Sequence, residues 1–166
     1  MSIAPTGKVE RTESGRQIVI ERTFNAPIED VWESIVDPVR MNRWIGTWTG
    51  EGRSGSRVKF VMTAEGQTEG EDVEIHTCEP PRFLDVTSAV GDDSWRMSIT
   101  LTEDAGVTTL RFTQAIKEGE DSSSYGIGWE YYADRLVATH TGEPFPEWDD
   151  YYPAQQDYWQ VTLQGS

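Results

Sequence analysis

The chain has 166 residues and a formal net charge of −15, with seven Trp, six Tyr and five Phe. One domain accommodates that length, and a chain of this size buries about 68–70% of the surface its unfolded form exposes, enough for a core without staples. The acidic balance and the lack of a Lys/Arg cluster speak against nucleic acid and anionic lipid as partners, since both favour basic patches, and the charge reads instead as solubility through self-repulsion.

Cys78 is the single cysteine, so no internal disulfide forms, which fits a reducing compartment and a cytoplasmic location. "MSIAPTGKVE" has neither an apolar run nor a basic flank, so no signal peptide and no membrane insertion are expected. Residues 1–6 are expected to be disordered. "GKVERTESGRQIVIERTF" then reads as a hairpin, with Gly15 in the turn and Ile18, Ile20 and Phe24 on one face.

"NAPIEDVWESIVDP" predicts a helix: Ile28, Val31, Trp32, Ile35 and Val36 make one apolar stripe. Pro27 is expected at its first position, and Glu29 and Asp30 favour its dipole. Asp37 caps a short second helix with Pro38 at its first position, which delivers Trp44. From there to residue 116 the period is two, giving about six antiparallel strands. Val58, Phe60 and Met62 share a face, as do Val73, Ile75 and Thr77; Leu84 and Val86; Trp95, Met97, Ile99 and Leu101; and Leu110, Phe112, Gln114 and Ile116. "CEPPRFL" enters its strand through a Pro-Pro turn and "EDAG" is a hairpin loop. "KEGEDSSS" is a polar loop ending in cap residues, and a closing helix runs from about Ser123 to His140, stopped by Gly142. That helix carries two glycines in its first turn, although helical glycine costs about 1 kcal/mol relative to alanine. The tail, residues 143–166, holds three prolines and many aromatics and is expected to pack on the domain, closing one cavity mouth or mediating a dimer; its final "GS" reads as an expression scar.

Five of these pieces, in order, resemble the START-like (SRPBCC) superfamily, and within it the branch named after activators of a heat-shock-protein ATPase (AHSA1-like): "ERTFNAPIEDVWESIVDP" followed by Trp44, "SGSRVKF", "CEPPRFL", "VTTLRFTQ" and "GWEYYADRL". The resemblance implies a single domain over residues 7–142. It would have an α+β helix-grip (START/Bet v 1-like) fold, in which a curved antiparallel sheet wraps a long C-terminal helix over a cavity and two short helices follow the first long strand. On that fold Gly126 and Gly128 would let the helix start close to the strand ends, while Trp129, Tyr132, Ala133 and Leu136 face the sheet. Ala133, small where the family often has Leu, leaves room inside unless Tyr132 or Trp95 fills it.

Apolar walls with a few polar groups are what small-molecule sites look like. The candidate ligand-binding residues are therefore Trp44, Trp48, Phe60, Met62, Trp95, Met97, Phe112, Trp129, Tyr132 and Ala133, with Gln114 as an inward amide; the plain alternative for each is core packing. Glu69 and Glu71 share the parity of Val73 and are the carboxylates that a catalytic reading would use. His76 is expected to face water, and His140 to sit in a last helical turn where a cation is favourable. Cys78 reads as a packing residue, and no spacing suggests a metal or a cofactor. The preferred function is binding of a hydrophobic or aromatic small molecule by a monomer or homodimer. A cyclase, dehydratase or hydrolase using cavity carboxylate and tyrosine groups is the first alternative, and a chaperone-associated interaction module the second.

Overall fold

The computed structural model describes residues 3–90, 93–118 and 123–164. The elements in order are β1 (Lys8–Thr12), β2 (Gly15–Phe24), α1 (Ile28–Val36), α2 (Pro38–Met41), β3 (Thr47–Thr49), β4 (Arg57–Val61), β5 (Glu71–Glu79), β6 (Phe83–Val90), β7 (Asp93–Asp104), β8 (Val107–Ile116), α3 (Ser123–Thr141) and α4 (Gln156–Gln164). The eight strands form one antiparallel sheet in the order β1-β2-β8-β7-β6-β5-β4-β3. The long α3 lies across one face, as in a helix grip. Its inward row of Trp129, Tyr132, Ala133 and Leu136 opposes the alternating apolar row of the strands, because both rows are what each element must bury.

Cross-strand register carries that row across the sheet. Ile20 stands opposite Phe112, Ile99 opposite Phe112 on the other side, and Met97 opposite both Val86 and Gln114. The parity breaks once. A bulge at His76 shifts the pairing so that Ile75 meets Val86 but Thr77 meets Asp85 and Cys78 meets Leu84. Thr77, expected inward, therefore turns outward, and Cys78 packs against the core instead. His76 bonds Thr87 Oγ1 through Nε2 at 2.6 Å, so it is only half exposed.

Two helix starts follow from their caps. Asp37 accepts the Arg40 backbone N–H at 3.0 Å and Pro38 takes the first position of α2. Pro27, expected inside α1, instead precedes it in extended conformation, and its carbonyl accepts the N–H groups of Asp30 and Val31. Trp44 is fixed by its indole N–H, which donates to the Ser34 carbonyl at 2.8 Å.

The start of the chain differs from expectation. Residues 3–6, expected to be disordered, are bound to the tail and to α3. Ile3 N–H donates to Asp150 O at 2.9 Å, Gln155 Nε2 donates to Ile3 O at 3.0 Å, and Thr6 N–H donates to Glu130 Oε2 at 2.7 Å. The tail forms α4, and Tyr151 and Trp159 are fully buried members of the main core. Of the sequence expectations, residues 1–2, the middle of "KEGEDSSS" (119–122) and the final "GS" lie outside the described residues.

Candidate functional site

A cavity of about 500 Å³ lies between the sheet and α3. The α1–β3 segment contributes Ile35, Met41, Trp44, Ile45 and Trp48 to its wall, and β4 with the loop after it contributes Phe60, Met62, Glu65 and Gln67. The central strands add Trp95, Met97, Phe112 and Gln114, and α3 adds Gly128, Trp129, Tyr132 and Ala133. All eleven side chains expected at a ligand site thus line one space. The rings leave room rather than closing it: Tyr132 and Trp95 both stand in the wall, beside the small Ala133.

The glycines of α3 have separate roles. At Gly128 nothing lies within 4 Å of where a β-carbon would stand, and the residue forms part of the cavity wall. At Gly126 a β-carbon would come within 2.3 Å of the Trp159 ring. Gly126 thus admits a tail side chain; it does not bring the helix to strand ends as expected. No residue beyond Leu136 lines the cavity, so among the described residues the tail braces the back of α3 and does not close a mouth.

Polar groups in the wall are few and mostly engaged. Gln114 is buried, and its Oε1 accepts the Trp129 indole N–H at 2.6 Å. The Phe112 and Trp129 rings pack beside this bond, tilted, with centroids 4.2 Å apart. Tyr132 donates its phenol to Glu65 Oε2 at 2.6 Å. Burial first, and the Glu65 hydrogen bond and charge second, hold the Tyr132 phenol well above its usual value near 10.0, so it stays protonated. The Trp95 indole N–H is buried with no partner among the described residues.

The carboxylates are not arranged as the strand parity suggested. β5 begins at Glu71, which is half-buried in the cavity wall. Glu69 precedes the strand, is exposed and does not line the cavity, because parity cannot be extended into a loop. The carboxylate that meets a cavity tyrosine is Glu65, in a single 3-10 turn (Thr63–Glu65) ended by Gly66 at φ 76°. The only trace of it in the sequence is "TAEG", an acidic residue before a turn glycine.

Outside the cavity, His140 Nε2 lies 2.9 Å from Ser34 Oγ, and its Nδ1 lies 3.6 Å from Asp30 Oδ2. This order of groups has the form of a nucleophile, base and orienting acid. It has no room to act as one: Ser34 is 3% exposed, does not line the cavity between the sheet and α3, and accepts an Arg40 N–H at 2.8 Å. The arrangement is a clamp between α1, α2 and the end of α3. Burial of the Cys78 thiol raises its pKa, which disfavours a thiolate nucleophile. Among the described residues no group of three His, Cys, Asp or Glu side chains is placed to hold a metal, and no helix is long and apolar enough to cross a membrane.

The far side of α3 carries a buried ionic network. Glu130, 1% exposed, accepts from Thr6, from the Gly7 N–H at 3.3 Å and from Arg22 Nη2 at 3.1 Å. Arg22 Nε donates to Asp134 at 2.7 Å, and the Tyr151 phenol donates to the other oxygen of Asp134 at 2.7 Å. The network ties the chain start, β2, α3 and the tail together behind the cavity.

Known structures share this architecture. CalU16 from Micromonospora echinospora is similar in its crystal structure at 26% identity and a TM-score of 0.77, over 96% of this chain and 97% of that one. DynU16, described as a protein in the dynemicin biosynthetic locus, is 25% identical at a TM-score of 0.68, over 79% of this chain and 49% of its own. EF2215 from Enterococcus faecalis, a conserved protein of unknown function, has the same fold at 15% identity and a TM-score of 0.74, over 96% of this chain and 91% of its own. No functionally curated protein matches the chain. The family described as Activator of Hsp90 ATPase homolog 1-like protein matches residues 25–141, from the residue before Ala26-Pro27 to the last turn of α3, and the chain belongs to that family.

Proposed function

We propose that this protein binds a hydrophobic or aromatic small molecule between the sheet and α3. The observation that supports the reading best is the cavity of about 500 Å³, walled by aromatic and aliphatic side chains with few polar groups. Well-packed interiors leave few voids larger than a water molecule, so a space of this size needs an occupant or a reason. The likeness to DynU16, described from a biosynthetic locus, supports a role beside small-molecule biosynthesis. Native mass spectrometry of the purified protein tests the reading, together with titration by Nile red, a neutral apolar dye. Either a co-purifying mass released on denaturation or saturable dye binding that Ala133→Trp abolishes is expected. A clean apo mass with no saturable dye binding would overturn the proposal.

One observation favours a second, enzymatic reading: the Glu65–Tyr132 hydrogen bond in the cavity wall. A phenol held protonated is a donor and not a base, so Tyr132 would turn its one O–H from Glu65 to a ligand oxygen, and the released Glu65 carboxylate would take a proton from the ligand. If turnover of a ligand is found and survives both Glu65→Gln and Tyr132→Phe, this reading falls and binding alone remains.

A further inference from the structure

Among the described residues that line the cavity none is Lys, Arg or His, while two, Glu65 and Glu71, are carboxylates. A charge placed among apolar walls is costly unless an opposite charge or an aromatic face meets it. An anionic ligand here would meet only like charge. A cation would meet Glu65, exposed at the edge of the wall, or the half-buried Glu71, and the rings beside them. Glu65 uses Oε2 for the Tyr132 phenol, and a carboxylate has further acceptor sites on its other oxygen. The Tyr132 ring is in edge contact with Trp129, at 6.3 Å between centroids, and with Tyr131, at 5.1 Å. Ring faces attract ammonium groups.

Arg135 is the cation that the Tyr132 phenol feels electrostatically, and it is committed elsewhere. Its Nε donates to the Trp44 carbonyl at 2.8 Å, and its guanidinium lies over the rings of Tyr131 and Phe145, 5.6 and 4.6 Å from their centroids. Among the described residues no ion pair engages Glu65 or Glu71.

We infer that the ligand is an aromatic or polycyclic amine, its ring body against the tryptophans and its protonated nitrogen against Glu65 at the Tyr132 end. The inference rests on the ligand-binding reading above and adds a charge class to it. Three probes of one ring system test it: 1-pyrenebutylamine, 1-pyrenebutanol and 1-pyrenebutyric acid, each titrated by quenching of tryptophan emission.

The amine is expected to bind at least about tenfold more tightly than the alcohol, and the acid most weakly. Glu65→Gln should remove the amine's advantage over the alcohol, so that the two bind that variant about equally. Glu69→Gln, on the same loop but outside the wall, should leave the advantage in place and so exclude the general acidic field as its source. Equal affinities, an acid that binds best, or an advantage lost equally in both variants would overturn the amine assignment while alcohol binding keeps the cavity reading intact. Failure of all three probes to bind would overturn both.

Discussion

The indole of Trp159 occupies the space that any side chain at Gly126 would need, with a β-carbon there falling 2.3 Å from the ring. A β-carbon at Gly7, just before β1, would fall 2.6 Å from the same indole. Two backbones thus approach one fully buried tryptophan, and the helix forgoes about 1 kcal/mol of alanine propensity to admit it. Gly126→Ala should destabilise by about 1–3 kcal/mol through overpacking. Trp159→Ala should cost about 3–5 kcal/mol. In the Trp159→Ala background the effect of Gly126→Ala should reverse, to a gain of up to about 1 kcal/mol. Urea unfolding of the four proteins measures this coupling directly; additive effects would show that the two residues do not compete for one space.

Gly128 offers the opposite experiment, two residues away. With open space where its side chain would be, Gly128→Ala should raise stability by up to about 1 kcal/mol, because only helix propensity changes. The added methyl group projects into the cavity, so the same variant should bind Nile red more weakly. Paired thermal unfolding and dye titration check both halves. A stabilised variant with unchanged dye affinity would place the ligand away from this turn of α3.

Glu130 ties the start of the chain to the back of the long helix. Removing it leaves Arg22 short of one partner and the Thr6 and Gly7 N–H groups without their acceptor. Breaking a buried pair from one side costs about 3–5 kcal/mol, so Glu130→Ala should lose about that much and Glu130→Gln, which keeps an acceptor oxygen, less. Hydrogen exchange at Thr6 and Gly7 should accelerate in Glu130→Ala well beyond the change in global stability. Persistent protection there would mean that the tail contacts alone hold residues 3–7.

His140 sets an acid limit. Its pKa is depressed from the ordinary 6.5, mainly by burial and also by the Arg40 charge, with Asp30 opposing. Below 6.5 the unfolded chain therefore binds a proton that the folded one resists, so this group's contribution is present above 6.5 and is lost as pH falls. Lowering the pH from 7.5 to 5.5 should reduce the urea midpoint, and His140→Gln should reduce that loss while lowering the midpoint at pH 7.5 through its weaker fit between Ser34 and Phe24. Equal pH sensitivity in both proteins would assign the acid limit to other groups.

The alternation of Trp95, Met97 and Ile99 against Ser94, Arg96 and Ser98, with the stripe of Ile28, Val31, Trp32 and Ile35, was enough to read the strands and the two short helices, while the helix grip followed from the resemblance of five segments, from "ERTFNAPIEDVWESIVDP" to "GWEYYADRL", to a known family. Periodicity reports which face an element buries, and so it also named wall residues of the cavity, from Phe60 to Tyr132. It fails where the period is interrupted. The bulge at His76 exchanged Thr77 for Cys78, and the loop carrying Glu65 and Glu69 has no period from which to tell the carboxylate that meets Tyr132 from the one that does not. The start of the chain was expected to be disordered because it is short and polar, while its order comes from long-range partners such as Asp150 for Ile3.

By itself, then, the sequence determined the class of fold and the apolar face, because side-chain alternation and helical spacing are local properties of the chain. Tertiary structure alone decided that Gly126 receives Trp159 while Gly128 is left open to the cavity, and that Glu65 rather than Glu69 meets Tyr132. The physical reason is separation along the chain. Residues 33 and 67 positions apart meet only when the sheet, α3 and the tail pack together, and nothing local in either partner records the other.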